Sequence, residues 1–317
     1  MEQATTRNKQ FYAGAALALI ALSLVMAGMI AFVSTASPVE TQTAAAPSTF
    51  TGIELRAKSA MVLDMTNRKV LYEKNADVPL PLASLTKIML ALVISEALPL
   101  DASVTIPYYM ASSDGKEHFE KGERWLLQDV IDFTLVTSSN NGAEILSDLA
   151  ASVIRDRNPN FSSENPTLER MNKLANNLNL QQTYFLNVSG LDLSNTQAGS
   201  YGSARDMASL FAYAASANPE LFAGTARGGV LLRNIDGNRN TTASNTNDVQ
   251  GAIPGLIMGK TGFTDLAGGN LAVVFDVGLA HPVVAVVLGS GENERFTDMQ
   301  KLVERARKAV ALDPKTP

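Results

Sequence analysis

Three short stretches of this 317-residue chain carry residues that can do chemistry together. The first is Ser84-Leu85-Thr86-Lys87. Positions three apart share a helix face, so a lysine amine there reaches a serine hydroxyl. In a poorly solvated pocket beside another cation such a lysine gives up its proton readily and serves as a general base. A serine at a helix start is also surrounded by backbone N–H groups and the positive end of the helix dipole, which suits an oxyanion. The second stretch is Lys260-Thr261-Gly262, expected on an edge strand lining a cleft. It offers a cation to hold an anionic group, a hydroxyl to hydrogen-bond it, and a residue without Cβ so that backbone approaches a ligand closely. The third, Thr137-Ser138-Ser139-Asn140-Asn141-Gly142-Ala143, contains S-x-N in two registers. A small residue two places after the asparagine lets its helix approach another closely, and on that ground Ser139 with Asn141 is preferred to Ser138 with Asn140. Taken singly, each stretch also has an ordinary reading: an N-cap serine with a lysine reaching for solvent, or a surface turn.

Composition restricts the chemistry further. With no cysteine there is no disulfide framework, thiolate metal site, cysteine nucleophile or C-x-x-C redox pair. The two histidines, His118 and His281, do not support a histidine-rich metal centre, and neither lies in a run built around it. A hydrolase with this composition uses a base other than histidine, and no metal or organic cofactor is implied. A net charge of −5 supplies no basic face for phosphate, so nucleic acid is not expected as a partner.

Several elements must position these residues. Ser59–Asp64 and Val70–Tyr72 read as a β-hairpin around Thr66-Asn67-Arg68-Lys69. Ser84–Ala97 follows two prolines and is apolar almost all round, the pattern of a helix buried at a domain centre. Helical periodicity recurs at Leu126–Thr134, Ala143–Ile154, Thr167–Leu178 and Ser203–Ala217, the last opening on a Ser203/Asp206 capping pattern. Strand texture returns at Leu256–Met258, Asn270–Val277 and Pro282–Leu288, and an amphipathic helix runs from Phe296 to Leu312. Strands at both ends of a helical middle predict an α+β fold: an antiparallel sheet flanked by helices, with a helical lobe inserted between its parts.

The N-terminus is a different kind of sequence. Residues 1–10 carry Arg7 and Lys9 and read as a cytoplasmic flank. Residues 11–33 are uncharged and at 1.5 Å per residue reach roughly 34 Å, enough to span a membrane. The length favours a transmembrane anchor, whereas the small residues at Ser34-Thr35-Ala36 and Ala44-Ala45-Ala46 suit cleavage of a signal peptide. Either way the basic flank leaves the remainder outside the cytoplasm. Residues 34–52 read as a linker, 53–312 as the folded domain and 313–317 as a tail.

S-x-x-K, S-x-N and K-T-G, in that order across about 180 residues, form a joint signal far stronger than any one box. With them the sequence resembles the low-molecular-mass penicillin-binding proteins, the serine D-alanyl-D-alanine carboxypeptidases. The likeness runs from about Ser59 to Arg307 and includes Val70–Asp77, Asn187 with Gly190-Leu191, Ala204–Ala208, Asn245-Thr246-Asn247 and Val287-Leu288-Gly289. The resemblance implies a β-lactamase/DD-peptidase-like fold and an acyl-enzyme formed on Ser84, with Lys87 taking its proton. It implies that Ser139, tuned by Lys260, protonates the departing amine, and that Asn141 positions Lys87 and the substrate amide. The N–H groups of Ser84 and Phe263 would form the oxyanion hole, while Lys260, Thr261 and Arg295 would hold the terminal carboxylate beside Gly262. Implied partners are peptidoglycan stem peptides, β-lactams as covalent inhibitors, and a membrane through the N-terminal segment. Two departures stand out: Asn-Gly-Ala where Asn-Asp-Ala is commoner, and no β-rich C-terminal domain or C-terminal anchor. The alternatives are an endopeptidase of the same fold acting on D-Ala-meso-diaminopimelate bonds, a class A β-lactamase with Glu169 as its deacylating base, and a non-catalytic cell-wall binding protein.

Overall fold

The computed structural model describes residues 48–107, 119–157 and 163–312. The expected cytoplasmic flank 1–10, the span 11–33, most of the linker, His118 and the tail 313–317 lie outside the described residues. Among the described residues no helix is long and apolar enough to cross a membrane.

The predicted hairpin is present as β1 (Ser59–Asp64) and β2 (Lys69–Lys74). Asp64 makes its turn, Oδ1 accepting from the backbone N–H groups of Thr66 at 2.9 Å and Asn67 at 3.0 Å. The same oxygen lies 2.9 Å from Nε2 of buried His281, so that histidine pins one end of the sheet. Three long strands follow late in the chain: β10 (Leu256–Thr264), β11 (Gly268–Asp276) and β12 (Pro282–Ser290). The sheet is antiparallel with order β10-β11-β12-β1-β2, which leaves β10 on an edge.

Both faces of this sheet are covered, and that explains the unbroken apolar runs in β11 and β12 where a half-exposed antiparallel strand would alternate. On one face Leu271, Val273, Phe275, Val283, Ala285 and Val287 pack with Met299, Leu302 and Ala306 of the C-terminal helix. On the other, Ala272, Val274, Val284, Val286 and Leu288 join the core of the helical lobe.

The lobe lies between β2 and β10 in sequence. It comprises β3 (Leu80–Pro81), a 3₁₀ turn (Ala83–Leu85), α1 (Thr86–Ala97), β4 (Ser103–Thr105), β5 (Arg124–Leu126), α2 (Leu127–Val136), α3 (Asn140–Arg157) and α4 (Pro166–Asn177). It continues through β6 (Tyr184–Phe185), β7 (Ser200–Gly202), α5 (Ala204–Ala217), α6 (Pro219–Phe222), β8 (Gly229–Arg233) and β9 (Asn240–Ser244). The C-terminal helix is α7 (Glu294–Ala311). Helix α1 is buried on every side, from Thr86 to Ile94 without a break. Each such aliphatic side chain contributes about 1.5–3 kcal/mol of burial, which offsets the cost of the lysine buried among them. Ser203 caps α5 as expected, accepting from Asp206 N–H at 3.0 Å, while the Asp206 carboxylate accepts from Gln182 N–H and Thr183 Oγ1.

Two features differ from expectation. Phe50 is buried and stacks on Tyr72 with ring centroids 5.1 Å apart, so the packed body extends upstream of Ile53 into residues expected to be linker. The small sheets β3-β7-β6, β4-β5 and β8-β9 were not expected, because strands of two to five residues carry too little alternation to read.

Candidate active site

Ser84 sits in the 3₁₀ turn that opens into α1, on a backbone the surroundings hold under strain. Ala83 has φ +49°, a left-handed conformation that costs a non-glycine residue about 1–3 kcal/mol unless the fold enforces it. The enforcement is visible. Thr86 Oγ1 donates to Ala83 O at 2.7 Å and lies 2.5 Å from Ser200 Oγ, and Leu82 N–H donates to Ser200 O at 3.1 Å. Gly190 closes over the same turn: with φ +80°, a Cβ there would stand 1.9 Å from Ala83 O. Gly190→Ala is therefore expected to lower thermal stability by several degrees or more and to slow reaction at Ser84, measurable by a melting curve alongside penicillin labelling.

Lys87, in the first turn of α1 and one turn beyond Ser84, is fully buried. Its Nζ lies 2.9 Å from Ser84 Oγ, 2.8 Å from Asn140 Oδ1 and 2.8 Å from Ser189 O. Burial pulls its pKa down to about 7, against a smaller opposing pull from the Glu144 carboxylate. The partners then fix the direction of the bonds. A neutral amine has two N–H donors and one lone pair, and Asn140 Oδ1 and Ser189 O can only accept. In the neutral form both donors are used there and the lone pair is left for the Ser84 hydroxyl, whereas in the ammonium form the third N–H donates to Ser84 Oγ.

The S-x-N register corrects the expectation. Lys260 Nζ donates to Ser138 Oγ at 2.8 Å and Lys87 Nζ to Asn140, so the lysines meet Ser138 and Asn140 and not the preferred pair Ser139 and Asn141. Ser139 is instead spent on structure: it precedes α3 and its Oγ accepts from Gly142 N–H at 3.0 Å, an N-cap. A Cβ on Gly142 would fall 2.2 Å from Thr134 Oγ1 of α2, so the close helix approach expected two places after the asparagine occurs after Asn140, whereas the residue two places after Asn141 is Ala143. Ser138 itself has φ +62°, a second strained residue at the site.

Lys260-Thr261-Gly262 lies within β10, on the edge strand where the sequence places it. A Cβ on Gly262 would stand 2.9 Å from Leu82 O and 3.1 Å from Ser84 N, so the missing side chain lets the strand approach the nucleophile turn. Lys260 is fully buried and its pKa is pushed well below the usual lysine value, by burial first and then by the positive charges of Lys87 and Arg295. Its other contact is Thr261 O at 2.9 Å. Thr261 Oγ1 lies 2.6 Å from Thr246 Oγ1. Arg295, at the start of α7, is 8% exposed; Nη1 donates to Gly262 O at 3.0 Å and the guanidinium lies over the Phe296 and Phe263 rings at 4.7 and 6.0 Å. Its buried Nε has no hydrogen-bond partner, and burial lowers its pKa.

These groups surround a cavity of about 230 Å³ lined by Ser84, Ser138, Asn140, Leu191, Thr246, Thr261, Gly262, Phe263, Thr264 and Arg295. Leu191 and Phe263 form its half-exposed apolar rim. Asp192 ties the two sides of that rim, Oδ1 accepting from Thr264 Oγ1 at 2.9 Å and Oδ2 from Leu266 N–H at 3.2 Å. The Ser189 carbonyl, Thr246 and Asp192 join the site without a local pattern in the sequence that marks them, and Asn187 shapes the loop carrying Ser189, its Oδ1 accepting from Gly190 N–H at 2.7 Å. Among the described residues no group of acidic or histidine side chains could hold a metal ion.

The chain belongs to the D-alanyl-D-alanine carboxypeptidase family, whose model matches residues 40–292. It is 30% identical over 260 residues to the D-alanyl-D-alanine carboxypeptidase DacF of Bacillus subtilis, covering 79% of this chain and 62% of that protein. It is also 30% identical over 259 residues to a D-alanyl-D-alanine endopeptidase of Pseudomonas aeruginosa, covering 78% and 76% respectively. Among solved structures, penicillin-binding protein D2 of Listeria monocytogenes in its ampicillin-bound form superposes with TM-score 0.67 at 30% identity, over 80% of this chain and 98% of that one. The chain thus spans about three fifths of the length of the Bacillus subtilis relative.

Proposed function

We propose that this protein is a serine-type D-Ala-D-Ala carboxypeptidase that trims peptidoglycan stem pentapeptides outside the cytoplasm, anchored by or released from its N-terminal segment. The observation that carries the reading is the Lys87 amine, whose two acceptors leave its lone pair for Ser84. Ser84 Oγ attacks the carbonyl of the terminal peptide bond as Lys87 takes its proton. The N–H groups of Ser84 and Phe263 hold the oxyanion, each worth on the order of 3 kcal/mol. Ser138, held by Lys260, relays the proton taken up by Lys87 to the departing D-alanine, which returns Lys87 to its neutral form, and Asn140 holds Lys87 and the substrate amide. Thr261 and Arg295 take the terminal carboxylate; Lys260 acts from beneath Ser138. Water then releases the acyl group, with Lys87 again as base. A β-lactam enters the same path and leaves Ser84 acylated.

A D-Ala-meso-diaminopimelate endopeptidase is the second reading, favoured by the Pseudomonas aeruginosa relative, of which this chain covers more than it does of the carboxypeptidase. Digestion of pentapeptide and cross-linked muropeptides with mass analysis tests both. Loss of one alanine is the expected result; split cross-links without alanine release would instead establish the endopeptidase. A penicillin adduct mapped to any residue other than Ser84 would overturn the nucleophile.

A further inference from the structure

Resting on the acyl-transfer reading, we propose that Asn270 of β11 is a positioning residue that sets the separation between the nucleophile turn and edge strand β10. Asn270 has no exposed surface and does not line the catalytic cavity. It pairs directly with Gly262, and residues directly opposed across an antiparallel pair project to the same face. That face meets the turn carrying Ser84: the Gly262 position vacates space there, and the Asn270 side chain crosses to it. Nδ2 donates to Pro81 O at 2.9 Å, while Oδ1 accepts from Gly289 N–H at 2.8 Å. The second bond is available because the β11–β12 ladder shifts register between Gly269 and Leu271, so Asn270 sits opposite an extra residue on β12.

The turn is consequently held from two sides. Ser200 O fixes Leu82 N–H from the small sheet, and Asn270 fixes Pro81 O from the large one. The large sheet is the one that carries Lys260, Thr261 and Phe263. The bond from Asn270 is thus the side-chain tie between the strand pair bearing the electrophile-stabilising groups and the residues just before the nucleophile. Slackening it displaces Ser84 relative to Phe263 without removing any group that touches substrate, and displacements near 1 Å cost about 100-fold in rate.

The test measures acylation of the full chain by a chromogenic β-lactam in stopped flow, separating the dissociation constant of the initial complex from the first-order acylation constant. Asn270→Ala removes both bonds. Asn270→Thr suits a strand but is too short to reach Pro81 O. Asp64→Asn, at the opposite end of the same sheet, controls for loss of stability. Both Asn270 variants are expected to acylate 10- to 100-fold more slowly, with the dissociation constant within threefold of wild type, while Asp64→Asn melts earlier yet acylates normally. Asn270 variants within threefold of the wild-type acylation constant would overturn the proposal, as would an equal slowing in Asp64→Asn. Failure of both Asn270 variants to fold also overturns it, by assigning Asn270 to folding. Wild type that is not acylated at all defeats the acyl-transfer reading itself, and the positioning role falls with it.

Discussion

Lys87→Met is expected to slow acylation by penicillin by two to four orders of magnitude while leaving the protein folded. That range is what a positioned general base supplies. Methionine fills most of the lysine stem's volume in a helix already apolar on every side, so the core around Ile88 to Ile94 keeps its packing. What disappears is the lone pair aimed at Ser84. The pH dependence gives a sharper test. With the amine's pKa near 7, the wild-type acylation rate should rise through an acid limb with its midpoint there, and the variant's residual rate should not follow that limb. Glu144→Gln removes a negative charge that supports the protonated amine, so the midpoint should move to lower pH.

The same shift has a consequence for stability, with a definite sign. In the unfolded chain Lys87 titrates at its ordinary value of 10.5, in the folded protein at about 7. Between those values the unfolded state binds more protons, so the wild type gains stability as pH rises through that window and loses it as pH falls. The full difference is on the order of 5 kcal/mol. Denaturation of wild type and Lys87→Met from pH 6 to 10 would show it as a difference slope that the variant lacks; parallel curves would mean that Lys87 is charged in the folded state. The base is therefore bought with stability, and the two apolar cores on either face of the sheet supply it.

How much of this arrangement the sequence exposes follows from which physical signals are local. The buried helix, the three late strands and the Ser84/Lys87 pair are legible because each follows from the spacing or hydrophobicity of a contiguous stretch. Strand β10 runs on through Lys260-Thr261-Gly262, beyond its apolar start at Leu256–Met258, because those residues are buried by the neighbouring lobe and not by their own apolarity. The S-x-N register is not legible for a related reason. Ser138 and Ser139 are the same residue type one position apart, and only the start of α3 decides which becomes a cap. A left-handed φ at Ser138 and the partners of Lys87 and Lys260 are tertiary facts. Asn270 is hidden in the same way, since one polar residue at the head of an apolar run reads as a strand terminus until its partners Pro81 and Gly289 are known.

Ser138→Ala is expected to reduce acylation by at least about 100-fold, whereas Ser139→Ala should leave the acylation constant within a fewfold of wild type and cost about 1 kcal/mol of stability. The contrast follows from what each hydroxyl holds. Ser138 Oγ is on the cavity wall and bonded to Lys260, so its loss removes the group proposed to deliver a proton to the departing amine. It also leaves a buried amine short of a partner, which adds to the damage. Ser139 Oγ bonds Gly142 N–H at the start of α3, and replacing an N-cap serine by alanine costs about 0.5–2 kcal/mol. Measuring both constants on both variants separates the roles: for Ser138→Ala the rate falls more than the melting temperature explains, and for Ser139→Ala the reverse. The opposite pattern would return Ser139 and Asn141 to the catalytic positions. Asn140→Ala extends the comparison, because it removes one of the two acceptors that orient the Lys87 lone pair. In that variant the free amine can turn a donor toward Ser84, so acylation should fall even where the acid limb of its pH profile persists.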